Sequence, residues 1–382
     1  MAAKLILPLL SAFVFYAIYY QAAVNGLQDL ADESIASGTL PGTRDPLRTV
    51  YTTVAPVDQL LTLLTTFFWP VTDGSRPGLL LHCLAFSGTY CSAWILVTLE
   101  SWRRGNAASL AAFASIFGIA AQLFTFAFAT PLYCVIQLYV SVTARKPTAE
   151  NLAIPHSVLR AMPLAFAAGM LLPSGLMLAP ESEIFTSDLK QIFIALWQPW
   201  PVYVASILFV VHVASPSAPV NDQSPADARA SRSSLRFVYA FAFAIAAVPH
   251  LVSIVISAAT VVAPTMFDLQ FLEPLHPLNV FAAAPWPWSN PVVQVETVGE
   301  GVQAFLAWDY LIGSTAVLVW TVSLFKSAHR AVYGPAEKTC LALKVMSLVL
   351  LAGPVGAAVE LMWEREELVL QADDAKTAPR KA

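Results

Sequence analysis

The stretch 303–325, QAFLAWDYLIGSTAVLVWTVSLF, is apolar for long enough to cross a bilayer, yet it carries Asp309 well inside its N-terminal end. A spanning helix needs about 20 predominantly apolar residues. A carboxylate within one is expensive, so it points either to a function or to a buried ionic partner. Working outward with the same ruler yields further apolar stretches at 4–21, 53–70, 79–99, 107–129, 160–179, 191–214, 236–262 and 338–359. Composition agrees: 57% of residues are hydrophobic and only 12% charged, where soluble domains carry about 25% charged residues. The expected fold is an all-α, polytopic transmembrane helix bundle of eight or nine spans, with residues 1–370 forming a single integral membrane domain. A net charge of -4 without a basic face excludes nucleic acid as a partner.

The loops carry a second signal. Lys and Arg collect in TARKPTAENLAIPHSVLR (143–160), NDQSPADARASRSSLR (221–236) and KSAHRAVYGPAEK (326–338), whereas ESEIFTSDLK (181–190) is mostly acidic and 264–302 holds neither Lys nor Arg. The positive-inside rule puts the first three in the cytosol and the last two in the lumen. ESWRRGN (100–106) breaks this pattern if 107–143 crosses once, which leaves the count of spans open by one. The luminal segment 264–302 is rich in Pro, Trp, Phe and Leu, residues that need something to pack on, so it is expected as a lid or re-entrant loop. Residues 215–234 read as a flexible cytosolic linker and 371–382 as a disordered polar tail.

Asp309 leads the candidate acids. Lys344, in the following apolar segment, is its visible ion-pair candidate, although antiparallel helices would hold the two at different depths. Glu100 has Arg103 and Arg104 at i+3 and i+4, the spacing of a helical ion pair, or serves as an acid at the rim of a pocket. Asp58, after Pro56, suits a helix N-terminus, and Asp73, in a D-G pair, suits a turn. Both are also candidate supporting acids. Gln198 stands beside Pro199, where freed backbone carbonyls can be engaged. Together with Trp197, Trp200, Trp308 and Tyr310 it is a candidate for shaping a substrate pocket. Aromatic faces also stabilise a passing cation.

No phosphate-binding glycine loop, HExxH zinc pattern or GxSxG elbow occurs. The only adjacent aspartates, Asp373 and Asp374, lie in the polar tail, so neither an aspartate-rich magnesium motif nor a DxDD motif is present. The blocks VDQLLTLLTTFFWPVTDGSRPGLLLH (57–82), LESWRRGN (99–106), TPLYC (130–134), LPSGLMLAP (172–180), KQIFIALWQPWPVY (190–203) and AWDYLIGS (307–314) carry a resemblance. In these the chain resembles the fungal membrane-bound terpene cyclases of meroterpenoid pathways, the group of the ascochlorin, ascofuranone and macrophorin cyclases. It departs from the expected pattern at Ile136–Gln137, where the resemblance leads one to expect a histidine.

The resemblance implies an enzyme in which an acidic side chain protonates the terminal epoxide or alkene of a farnesyl-type chain, and successive carbocations then close rings. It implies no metal and no cofactor, a lipophilic prenylated substrate, contact with membrane lipids and other pathway enzymes, and a multi-pass location in the endoplasmic reticulum membrane. Such chemistry needs a carboxyl that keeps its proton, which desolvation favours in general, and a site closed to water. Two other readings fit the hydropathy alone: a secondary transporter of a lipophilic metabolite, and a non-catalytic membrane scaffold.

Overall fold

The computed structural model describes residues 2–215 and 224–377, and among these every regular element is a helix. A helix satisfies its backbone donors and acceptors internally, which is what apolar surroundings demand of an apolar run. Helix α1 (Ala3–Val24) is followed by α2 (Leu27–Ser37) and α3 (Ala55–Thr72). Helix α4 (Pro77–Ser101) starts on a proline, where the missing N–H goes unneeded. It is the central shaft: 78% of its most apolar window lies inside the protein, against 33% for α1. Next come α5 (Ala114–Phe124) and α6 (Phe126–Val140). Helix α7 runs from His156 through a π-helical turn at Ala167–Leu171 to Met177. Helices α8 (Ser187–Trp197) and α9 (Trp200–Ala214) meet at a 57° bend beside Pro199. Then follow α10 (Pro225–Val262), α11 (Val298–Val332) and α12 (Lys338–Thr377).

Two apolar runs turn back where the sequence predicts straight spans. In α12, Lys344 pairs with Glu364, residues that a straight helix would separate by about 30 Å. The chain reverses at Gly353 (φ 75°, ψ 170°), a conformation that L side chains avoid, and Pro354 starts the return arm. A Cβ at Gly353 would also stand 3.1 Å from His250 Nδ1. Gly353→Ala is therefore expected to cost about 1–3 kcal/mol, read as a lower thermal midpoint in detergent; an unchanged midpoint would contradict a turn that only glycine fits.

The second reversal falls at Thr125 (φ 126°, ψ 157°), between α5 and α6. Here the sequence reads 107–129 as one span. Instead the helix breaks and Thr125 caps the new start, its hydroxyl accepting from Phe128 N at 3.2 Å. The arms return to a common end: Tyr133 OH donates to Ala111 O at 3.2 Å, and Ser141 Oγ donates to Asn106 Oδ1 at 2.5 Å. Arg103 and Arg104 consequently share one end of the bundle with the segment around 143–153, to which Arg104 N donates through Ala153 O at 2.9 Å.

Among the described residues, six helices are long and apolar enough to cross a membrane, or seven if the bent α8–α9 pair counts as one. This is fewer than the expected eight or nine, because α3 does not qualify and α5 and α6 are short. Of the expected linker 215–234, residues 216–223 lie outside the described residues, and from Pro225 the chain is helical. Ser224 and Asp227 form a capping box there. Of the expected disordered tail, 371–377 continue α12 instead, tied to α10 by Arg232–Asp374 at 2.5 Å and, two turns earlier in α12, by Arg236–Glu367 at 2.7 Å. Residues 378–382 lie outside the described residues.

Residues 263–297 fold over the N-terminal ends of α4 and α11. They include short helices at Leu269–Leu272 and Pro277–Phe281; residues 298–302, expected in the loop, already belong to α11. The segment is tied down by Ser257 Oγ to Leu275 O at 2.8 Å, His82 Nδ1 to Val280 O at 2.8 Å and Trp308 Nε1 to Pro285 O at 3.1 Å. Leu81 packs with Leu275 and Val280 beneath it.

Candidate active site

Helix α11 sets Asp309 on the face it shares with Phe305 and Leu306, four and three residues earlier, and all three line one cavity. Asp309 is 5% exposed. Its Oδ1 accepts the Ala127 amide at 2.6 Å, and the Phe126 amide and Thr125 hydroxyl also face it. The break at Thr125 is what frees these groups: the first amides of α6 have no partner within their own helix and point at the carboxyl. The positive end of a helix dipole therefore meets the carboxyl group that α11 carries into the cavity. Among the described residues no Lys, Arg or His forms an ion pair with Asp309.

The cavity measures about 680 Å³, within the usual range for small-molecule sites. Its α4 wall runs from Pro77 to Tyr90, about 20 Å along the helix. Pro77 and Leu275 mark the end beneath the loop; Tyr90, Phe126 and Asp309 mark the far end. The walls are apolar and aromatic, with ring contacts between Phe67 and Phe305 (4.9 Å), Phe68 and Trp197 (5.3 Å) and Tyr90 and Phe126 (5.2 Å). Among the described residues, Asp309 is the one acidic side chain on them. One side is rimmed by lining residues exposed on the outer surface, including Leu63, Leu84, Leu123 and Phe124.

The other candidates divide. Trp197 lines the cavity, its indole N–H donating to Ser174 Oγ at 2.9 Å. Gln198 lies behind the wall, and its backbone carbonyl, beside Pro199, accepts from the cavity residue Gln122 at 3.1 Å. Trp200 backs Tyr90 at 5.7 Å, and Tyr310 packs on His82 and Phe86, each at 5.7 Å. Trp308 holds the overlying loop through Pro285 and touches the exposed Trp286 and Trp288.

The three remaining acids stand away from the cavity. Asp58 accepts from Tyr51 N (3.1 Å), Thr52 N (2.7 Å) and Thr52 Oγ1 (2.9 Å), fixing the entry to α3. Asp73 accepts from Ser75 N at 2.9 Å in its turn. Glu100 closes a buried network at the opposite end of α4. Its Oε1 receives Arg103 Nε and Arg365 Nη1, both at 2.7 Å, and its Oε2 receives Gln137 Nε2 (3.0 Å) and Thr143 Oγ1 (2.9 Å). Arg103 also pairs with Glu366 at 2.5 Å. Gln137, in the Ile136–Gln137 pair where the resemblance leads one to expect a histidine, thus joins the network and accepts from Trp320 Nε1 at 2.9 Å. Lys344 is bound to Glu364 and not to Asp309.

Sequence reasoning missed Thr125, Ala127 and the phenylalanine walls. The helical i−3 and i−4 positions of Asp309 would have identified Leu306 and Phe305; nothing local marks Thr125. Among the described residues, no group of three or more His, Cys, Asp or Glu is arranged to hold a metal ion.

Comparison with known proteins gives a consistent picture. The CtvD domain model matches residues 3–370. The chain is 34% identical to terpene cyclase ctvD of Aspergillus terreus over 362 residues, covering 94% of this chain and 97% of that one. It is 31% identical to terpene cyclase janA of Penicillium janthinellum, over 92% of this chain and 91% of the relative. With terpene cyclase ascI of Acremonium egyptiacum the identity is 28%, over 98% and 94%. No solved structure matches.

Proposed function

The chain belongs to the CtvD-domain family, and from that membership we propose that it closes rings on a prenyl chain by protonating it from Asp309 inside the apolar cavity. It is a terpene cyclase, as its relatives are. The observation that carries the site assignment is that, among the described residues, Asp309 is the only carboxylic acid on the cavity wall, placed to touch a chain lying there. A carboxyl with no cation beside it is held at least cost in its neutral form, and that form is the proton donor.

The substrate is the farnesyl-type chain, epoxidised or not, of a meroterpenoid precursor. The proton adds to the terminal epoxide oxygen or alkene carbon, the opening bond leaves a cation, and internal double bonds attack in succession. A proton lost from the last cation makes the product an isomer of the substrate. As Asp309 gives up its proton, the amides at the start of α6 are already aimed at the resulting carboxylate. Aromatic walls face the travelling positive charge. Phe305→Leu is expected to slow cyclisation about 2- to 30-fold and to release partly cyclised products, seen by mass spectrometry and NMR of the extract; an unaltered product profile would remove Phe305 from this role.

The protein sits in the endoplasmic reticulum membrane with the basic end in the cytosol and the segment 263–297 in the lumen. In support, the chain then crosses six times, with α1, α4, α7, α8–α9, α10 and α11. The α5–α6 and α12 hairpins enter from the cytosolic end and return, so ESWRRGN joins the other basic loops. The exposed leucine and phenylalanine rim of the cavity faces lipid and admits the chain from the bilayer. The segment 263–297 acts as the lid that keeps water from the cation.

A further inference from the structure

We propose that a second, polar pocket beneath the lid holds an oxygen-bearing head group of the substrate, with Arg76 as the residue that grips it. The inference rests on the cyclase reading and adds an orientation to it: head under the lid, chain end at Asp309. The pocket measures about 650 Å³ and stacks on the cavity's lid end. On α4, Gly78 and Leu79 line the pocket, and Leu80 and Leu81 line the cavity; Pro77 lines both. On α11, Gln303 and Ala304 line the pocket, followed by Phe305 and Leu306 in the cavity. In the lid, Pro274 belongs to the first and Leu275 to the second. A molecule with a polar end and an apolar chain matches this order of walls.

Arg76 is positioned for the head. Its Nη1 donates to Thr297 Oγ1 at 3.1 Å and lies 3.4 Å from Glu300 Oε1. A guanidinium has five N–H groups, so donors remain for a hydroxyl, carbonyl or carboxyl oxygen. Its stem crosses α11 at Gly299, where a Cβ would stand 2.4 Å from Arg76 Cδ. A larger residue there would displace the arginine, so its stem is packed against α11 at a position where Arg76 borders both this pocket and the neighbouring one that Thr297 and Gly299 line.

The test is binding, read apart from turnover. Two saturated, non-cyclising farnesyl analogues are titrated into the full-length protein in nanodiscs by tryptophan quenching, one carrying a dihydroxybenzoate head and one a methyl ether. The wild type is expected to bind the headed analogue about tenfold or more tightly, the worth of one charge-assisted contact. Arg76→Met, which keeps the stem, is expected to erase that preference while leaving the methyl ether's affinity unchanged. Arg76→Lys, with charge but no planar fork, is expected to keep an intermediate preference and decides the matter should Arg76→Met lose both ligands. Equal wild-type affinities, or a preference that survives removal of the guanidinium, would overturn the proposal. Asp309→Asn is expected to keep the preference, so failure of the acid assignment and failure of the head-group site give different results.

Discussion

Asp309→Asn is expected to leave a folded protein that cyclises its substrate about 10²- to 10⁴-fold more slowly, the range supplied by a positioned general acid. The replacement is close to isosteric, and its amide oxygen still accepts the Ala127 N–H that holds Asp309 at 2.6 Å. What disappears is the transferable proton. Asp309→Glu tests position separately: it restores an acid but shifts it by roughly 1 Å, and a displacement of that size costs about 10²-fold. Initial rates in membranes matched for protein content provide the measurement. Equal rates for wild type and Asp309→Asn would remove Asp309 as the donor and leave the family membership intact.

The second large effect is on stability, at the opposite end of α4. Arg365→Met is expected to destabilise the protein by about 3–5 kcal/mol, because it deprives buried Glu100 of one of its two guanidinium partners. With native stabilities of about 5–15 kcal/mol, this shows as loss of folded protein in membranes and a lower thermal midpoint for whatever remains. Glu100→Gln is expected to act in the same direction, since Arg103 and Arg365 both point at the carboxylate it removes. Neither variant is expected to alter the products made by each folded molecule. A Glu100→Gln protein with normal stability but no turnover would make Glu100 part of the chemistry after all.

Why was Asp309 legible in the sequence while its surroundings were not? A carboxylate inside a long apolar run stands out through solvation energy alone, whatever the fold around it. Its neighbours in sequence misled: Trp308 and Tyr310 lie about 100° around the helix from it, and they face Pro285 and His82 instead of the cavity. The helical character followed from hydropathy, and the free carbonyl beside Pro199 from proline chemistry, whereas the 57° bend there did not. The two reversals did not, because apolar residues flank Thr125 and Gly353 on both sides and hydropathy does not register direction. The Glu100 network was half visible: Arg103 is one turn away, whereas Arg365 and Glu366 arrive from the far end of the chain through the return arm of α12.

The most direct measurement of the central claim, ring closure by a proton from Asp309 in a water-excluding cavity, is mass analysis of single-turnover products. Purified wild type and Asp309→Asn are each given a prenylated phenol with a terminal epoxide in ¹⁸O-labelled water. The account predicts that wild type forms a cyclic product isomeric with the substrate and free of ¹⁸O, and that the variant binds the substrate but forms almost none. A hydrated, ¹⁸O-bearing product from wild type, or equal cyclisation by the variant, would contradict it.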